Sequence, residues 1–248
     1  MRGALALVAL LAATPARADC PDLPAAARFA MALLERRVPA PFDIATETEA
    51  HCAQRKLVAF LAQPWGDVSG IALDAARLPP LQGSLLFANL RARSGATIDI
   101  GYAARPAVAP GVLLRIGANG EPVAASPFLA LLDLAAFAGR TDAVARIAGN
   151  LGLRLGVVGT EAPLPATAPD ALLQADGSTI AALPRLGLAA PPADLIADLA
   201  RDMANEGRPL RRDELVALFA DPSPLTPRAG ETWRLSIPGL GSAEVNFR

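Results

Sequence analysis

Leu225 to Phe247 reads LTPRAGETWRLSIPGLGSAEVNF, and this stretch sets the fold class. Trp233 to Ile237 and Ala243 to Phe247 are short runs of strand-forming side chains, with Pro238-Gly239 as a turn signal between them. They are expected to form a closing β pair.

Working outward, Leu172 to Ile180 holds Asp176-Gly177 between two short runs, a hairpin signal. Asn119-Gly120 comes after the apolar run Val112 to Ile116 and is a second one. Val68 to Leu73 is a short apolar segment, and Thr97 to Ile100 (after Ser94-Gly95) and Leu155 to Val158 are strand candidates. Ser84 to Arg91 fits helix or strand. Pro127 to Ala138 reads as strand or loop running into a helix, and Thr141 to Ile147 as a helix with Asp142 in its first turn. Asp194 to Glu206 is an amphipathic helix ending at Gly207, and Arg211 to Ala220 is expected to add a turn or short helix.

The first third differs. Pro24 to Val38 spaces Leu23, Ala27, Ala30, Met31 and Leu34 helically. Thr46 to Ala62 is a second helix, with Thr46 or Thr48 as cap and Glu47 and Glu49 in its first turn. Cys52, Leu57, Phe60 and Leu61 mark its buried side, and Gly66 ends the region. Helices first, then many short strands, give an α+β fold class. We expect residues 19–66 to form a helical region packed as one unit with a mixed sheet or β-roll over 67–248.

Residues 1–18 have the pattern of a signal peptide. Arg2 precedes an apolar run, Ala4 to Ala13, of about ten residues, which is too short to span a bilayer. Ala16-Arg17-Ala18 is an A-x-A cleavage site, so the mature chain is expected to begin at Asp19. Asp19 is a poor lipobox residue, which disfavours lipidation of Cys20. The chain has two cysteines, Cys20 and Cys52. An even count in an oxidising compartment favours one disulfide, against the alternative of two unrelated thiols. The expected location is periplasmic or secreted. No other apolar run reaches transmembrane length.

Of 248 residues, 52% are hydrophobic and 19% charged, enough for one substantial core or two small ones. A formal net charge of −1 implies no attraction to nucleic acid or to an anionic membrane. The 23 prolines cluster at Pro79-Pro80, Pro163 to Pro169, Pro191-Pro192 and Pro222 to Pro227.

The closing stretch resembles the end of the fumarylacetoacetate hydrolase superfamily, in its 2-keto-4-pentenoate hydratase and 4-oxalocrotonate decarboxylase branch, where the pattern is T-P…G-D-T…G-L-G-S-x-x-V-x-F. The resemblance extends along the chain. Ala50 to Phe60 (AHCAQRKLVAF) is similar to the A-Y-x-x-Q helix, with Gln54 kept and His51 in place of Tyr. Val68-Ser69-Gly70 is similar to V-x-G, GATI at Gly95 to Ile98 to G-A-x-I, and Pro127-Phe128-Leu129 with Asp133 to P-F-I-E-L-P-D. Asn150 to Gly159 (NLGLRLGVVG) resembles N-x-G-x-R-x-V-x-G with one residue of slack. Single motifs here are weak, and their order and spacing carry the resemblance.

The resemblance implies a divalent cation, Mg or Mn, held by three carboxylates. The first two form E-x-E after a Pro. The matching stretch, PAVAPGVLLRIG at Pro106 to Gly117, has Ala109 and Gly111 there. The third, the Glu of P-F-I-E-L, is matched by Ala130. The family Lys after V-x-G is matched by Ala72. Methyl groups and hydrogens cannot ligate a hard cation, so no cofactor is expected. Without the metal, the Lewis acidity that stabilises a 2-keto acid enolate is lost. A small slip in alignment would not restore it, because Ala103 to Gly120 contains no Asp or Glu.

Asp74, Asp99, Glu121 and Asp133 are the nearest carboxylates in sequence. Asp133 reads as structural or helix-capping. Asp74 is a candidate cavity residue or, more blandly, a solvated turn residue before Pro79. Arg105 and Arg115 are candidates for replacing the lost cation, since Arg binds a carboxylate bidentately without metal. His51 is the one histidine and reads as a helix-surface or interface residue, so no Ser-His-Asp device is expected. Gly239 and Gly241 lie in the β closure and form no phosphate loop. Arg211-Arg212 reads as a solvated pair, and Trp65 and Trp233 as core or rim aromatics.

Three readings are open. The first is an exported, metal-free relative that binds a small carboxylate or a partner protein in the old cavity. The second is an active hydratase or lyase, acting on carbon–oxygen or carbon–carbon bonds of 2-keto acids, with a relocated site. The third is a structural or interaction protein that keeps the fold's oligomer surfaces, the family forming homo-oligomers. An open apolar cavity would favour the first over the third, and a cavity filled by Leu113, Leu114 and Phe128 the third.

Overall fold

A computed structural model describes residues 20–165, 169–220 and 225–248. The expected signal peptide, its cleavage site and the Asp19 start lie outside these residues, as do parts of two proline-rich segments.

Asp22 starts helix α1 (Leu23–Leu34) by accepting from Ala25 N at 2.6 Å. Helix α2 (Glu47–Trp65) opens with a capping box, in which Thr46 Oγ1 accepts from Glu49 N and Glu49 reaches back to Thr46 N. A disulfide joins Cys20 to Cys52 across a Cα separation of 5.6 Å and ties the start of the described chain to α2. Phe29 of α1 stacks on Phe42 at 4.4 Å between ring centroids. Gln54 of α2 donates to the carbonyls of Gln82 and Ile147 at 2.8 and 2.9 Å. These bonds satisfy a buried amide and anchor the helix to two segments distant in sequence.

The remaining elements are, in chain order, β1 (Val68–Asp74), β2 (Leu81–Leu86), β3 (Ala92–Arg93), β4 (Ala96–Ile98), β5 (Pro106–Ile116), β6 (Pro122–Asp133), α3 (Ala143–Ala148), β7 (Leu153–Val158), β8 (Ala162–Pro163), β9 (Ala171–Ala175), β10 (Ser178–Leu183), α4 (Pro192–Asn205), β11 (Leu215–Phe219), β12 (Thr232–Ile237) and β13 (Gly241–Phe247). The large sheet runs β2-β1-β11-β5-β6-β7-β3, with β8 on β6. The small sheet runs β10-β9-β12-β13-β4. Both are mixed, since β1–β11, β3–β7 and β13–β4 are parallel. The fold class is α+β.

Alternation along the strands divides the core into two layers. Ile71, Leu73, Val108, Val112, Leu114, Leu129, Val216 and Leu218 face the small sheet and α4. Ala72, Ala109, Leu113, Phe128, Ala130, Ala217 and Phe219 face α1, α2 and α3. Among the described residues, no helix is long and apolar enough to cross a membrane.

Both hairpin signals form as read: Asn119-Gly120 joins β5 to β6, and Asp176-Gly177 joins β9 to β10. The closing pair forms as β12 and β13. One expectation is corrected, and two open segments take definite form. Within Arg211 to Ala220, Leu215–Phe219 is a strand and not a helix, because LVALF lies between β1 and β5 in the middle of the large sheet, where a continuous apolar run suits burial on both faces. Ser84 to Arg91 divides into the end of β2 and a single 3₁₀ turn at Phe87–Leu90. The apolar run Val112 to Ile116 is the second half of a strand that begins at Pro106. Proline normally argues against a central strand, but the β11 ladder stops at Gly111, one residue short of Pro110.

Candidate functional site

The four family positions come together in space. In register, Ala109 lies opposite Ala130 and Gly111 opposite Phe128 across β5 and β6. Ala72 pairs with Ala217, which pairs with Leu113. All point toward the helical layer, at the centre of the large sheet.

That place is packed. Ala72 and Ala130 are 0% exposed and Ala109 is 1% exposed. Phe128 and Phe219, both fully buried, lie on either side of Gly111. A Cβ added at Gly111 would strike the Leu218 carbonyl oxygen, and one at Gly156 would strike the Phe128 ring. The two glycines therefore let strands and ring close over the space that a ligand set would need. Phe128 and Leu113 fill it as the third reading anticipates, whereas Leu114 faces the other core layer.

Asp74 shares this face, in register with Phe219, which pairs with Gly111. It is buried, and its Oδ2 accepts from Arg146 of α3 at 2.5 Å. The Arg146 guanidinium also lies 5.1 Å from the Phe137 ring centroid. The solvated-turn reading of Asp74 is thus corrected. Position 74 ends a buried strand, and the Arg146 ion partner, with the Ala76 N–H donating to Oδ1 at 3.3 Å, makes the carboxylate tolerable there.

The structure does not bring the two candidate arginines into the centre. Arg105 is exposed just before β5, and its backbone N–H donates to Asp133 Oδ1 at 3.0 Å. Arg115 stands at the far end of β5, roughly 33 Å from Arg105 and about 13 Å from Gly111 along an extended strand. It forks onto Glu161 at 2.9 and 3.0 Å and reaches Asp213 at 3.3 Å. Hydrogen bonding and charge from Glu161 raise the Arg115 pKa, and Arg115 in turn lowers that of Glu161. Arg115 is fully engaged at the surface and does not take the place of a cation.

The other nearby carboxylates hold backbone. Asp133 accepts from Ala104, Arg105 and Ala135 N–H groups, as its structural reading expected. Asp99 accepts from Gly101 N and Glu121 from Asn119 N. Tyr102 donates to the Ala107 carbonyl at 2.9 Å, and burial first, then the Asp133 charge, pushes its hydroxyl far above the usual range. The motif residues Asn150 and Arg154 are structural here. Asn150 bridges both backbone groups of Ser84, and the Arg154 guanidinium lies 4.0 Å from the Trp65 ring centroid. Burial, then the neighbouring Arg36, lowers the Arg154 pKa, while Asp133 opposes this. Sequence reasoning missed Phe219 and Arg146. Phe219 belonged to a strand read as helix, and nothing local to Arg146 shows its partner 72 residues away.

No protein-family model matches the chain, and no curated protein matches it significantly by sequence. Solved structures do match. 4-Oxalocrotonate decarboxylase from Pseudomonas putida G7, complexed with magnesium and adipate, superposes with a TM-score of 0.78 over 91% of this chain and 97% of its own, at 14% identity. The fold is fumarylacetoacetate-hydrolase-like. Fumarylpyruvate hydrolase from Pseudomonas aeruginosa, in complex with Mn²⁺ and pyruvate, matches with a TM-score of 0.55 and 18% identity over 71% of this chain and 87% of its own. A 2-hydroxyhepta-2,4-diene-1,7-dioate isomerase from Mycobacterium marinum matches with a TM-score of 0.55 and 8% identity over 73% and 75%.

The residues of this chain do not fit the divalent metal that such a fold implies. The donor set at the matched positions is two methyl groups and a hydrogen, closed over by aromatic rings. Among the described residues, no group of three His, Cys, Asp or Glu side chains could hold a metal ion. No chemical step through a metal is derived for it.

Proposed function

We propose that this chain is an exported, non-catalytic relative of the 2-keto acid hydratases and decarboxylases, acting in the periplasm or outside the cell by binding. The observation that carries this is the packing of Ala109, Gly111 and Ala130 against Phe128 and Phe219. Nothing at that place can polarise a keto acid or stabilise an enolate, and electrostatic stabilisation is usually the largest part of such catalysis. The Cys20–Cys52 disulfide and the leader pattern of residues 1–18 support export.

The same packing bears on where binding occurs. A cavity closed by Phe128 does not admit a ligand, so recognition of a small carboxylate or a partner uses the surface. An assay of 2-keto acid hydration, hydrolysis and decarboxylation with added Mg²⁺ or Mn²⁺ tests the reading. We expect no turnover above the uncatalysed rate. Metal-dependent turnover that is lost in a carboxylate variant, Asp74→Asn included, would establish a relocated site and overturn it.

A further inference from the structure

The small sheet has one inward face and one outward face. Leu173, Trp233, Leu235 and Ala243 turn into the core, so the alternating residues Leu172, Arg234, Ser236 and Ser242 turn out. A groove of about 690 Å³ lies over this outer face, floored by Leu172 and Ala182 and walled by Leu183, Pro184 and the Pro238-Gly239 turn. Small-molecule sites commonly measure about 300–1,000 Å³ and are mainly apolar with a few placed polar groups. Leu172 is 45% exposed in it.

The polar groups gather at one end. Arg234 donates to Ser242 Oγ at 3.2 Å, and Ser236 pairs with Ser242 in register. Arg234 makes no ion pair among the described residues, although Glu244 lies opposite it on β13. At the other wall, Asp170 accepts from Arg185 N at 2.8 Å. The groove thus offers a guanidinium and two hydroxyls beside an apolar floor, with a carboxylate in its wall.

We propose that this groove binds a small organic monocarboxylate with an apolar body. The carboxylate meets Arg234, Ser236 and Ser242, and the hydrocarbon covers Leu172 and Ala182. Asp170 disfavours a second carboxylate by like-charge repulsion. This rests on the metal-free binding reading above and gives it a site and a ligand class.

The test is a calorimetric titration of the oxidised chain with hexanoate and with hexanol, each with and without Mn²⁺. We expect saturable hexanoate binding without metal, and hexanol at least about tenfold weaker, the loss expected when a charge-assisted bond is removed. Arg234→Gln should weaken hexanoate at least about tenfold without moving the melting temperature, Arg234→Lys should recover part of it, and Leu172→Ser should weaken both probes. Absent hexanoate binding, equal binding of hexanol, or indifference to Arg234→Gln would overturn the proposal. So would binding that disappears as the chain self-associates, which would make a second copy the occupant. Hexanoate binding that requires Mn²⁺ would instead overturn the metal-free reading, so the two failures are distinguishable.

Discussion

The centre of the large sheet and the outer face of the small sheet are opposites. The first is covered on both sides, by helices on one and the small sheet on the other, and the charged groups Asp74 and Arg146 pair with each other there. The second is uncovered, and exposes a leucine beside an arginine and two serines. Solved structures of this fold are recorded with magnesium or manganese, and the positions that the family resemblance matches to metal ligands hold two methyl groups and a hydrogen in this chain. The difference teaches that the fold tolerates a filled centre, because small residues there let the phenylalanines pack, and that recognition can then lie at the periphery.

The most severe way to break this comparison is to rebuild the acidic pair. Ala109→Glu with Gly111→Glu buries two carboxylates without partners and drives a side chain into the β11 backbone. We expect a loss of about 5 kcal/mol or outright failure to fold, read from urea unfolding. A folded double variant that binds Mn²⁺ would show that the centre is still a site. Phe128→Ala is next. It removes a fully buried ring and should cost about 3–5 kcal/mol by the same measurement. A near-neutral result would mean that the ring is not holding the centre closed.

Removing the disulfide sharpens the comparison from the helical side. The 32-residue separation of Cys20 and Cys52 gives roughly 3–4 kcal/mol in the chain-entropy model, so Cys20→Ala with Cys52→Ala should lower stability by that order. Loss of the groove's ligand binding in the same variant would show that the two regions are coupled. The smallest effect concerns Arg115. Glu161 is held below its usual range by Arg115, so its contribution to stability is present above the unfolded carboxylate pKa and is lost as pH falls through the lower folded value. Arg115→Gln should return the Glu161 titration toward pH 4.5, tracked by NMR, and lower the melting temperature at neutral pH only slightly, while leaving ligand binding unchanged.

Local chemistry made part of this fold legible. The cap at Thr46, the Asn119-Gly120 and Asp176-Gly177 turns and the Cys20–Cys52 pairing each act over few residues or rest on compartment, and each appears where expected, whereas Asp142, expected in the first turn of its helix, is its N-cap. β11 was not legible, because LVALF is equally apolar as a buried helix or a buried strand and only its neighbours decide. The prolines at 106, 110, 122 and 127 concealed the two longest strands. At the site, the absence of carboxylates could be read directly. Its filling could not, since it depends on Phe219 and Phe128 meeting Gly111 from different strands. The partners of Asp74 and Arg115 are equally remote in sequence, and so are the residues that gather around Arg234.

The most direct test of the central claim is calorimetry of the oxidised chain with oxalate, an enolate mimic, in the presence and absence of Mn²⁺. The account predicts no heat that depends on Mn²⁺, since the centre of the large sheet has neither ligands nor room. Saturable oxalate binding that appears only with Mn²⁺ would contradict it.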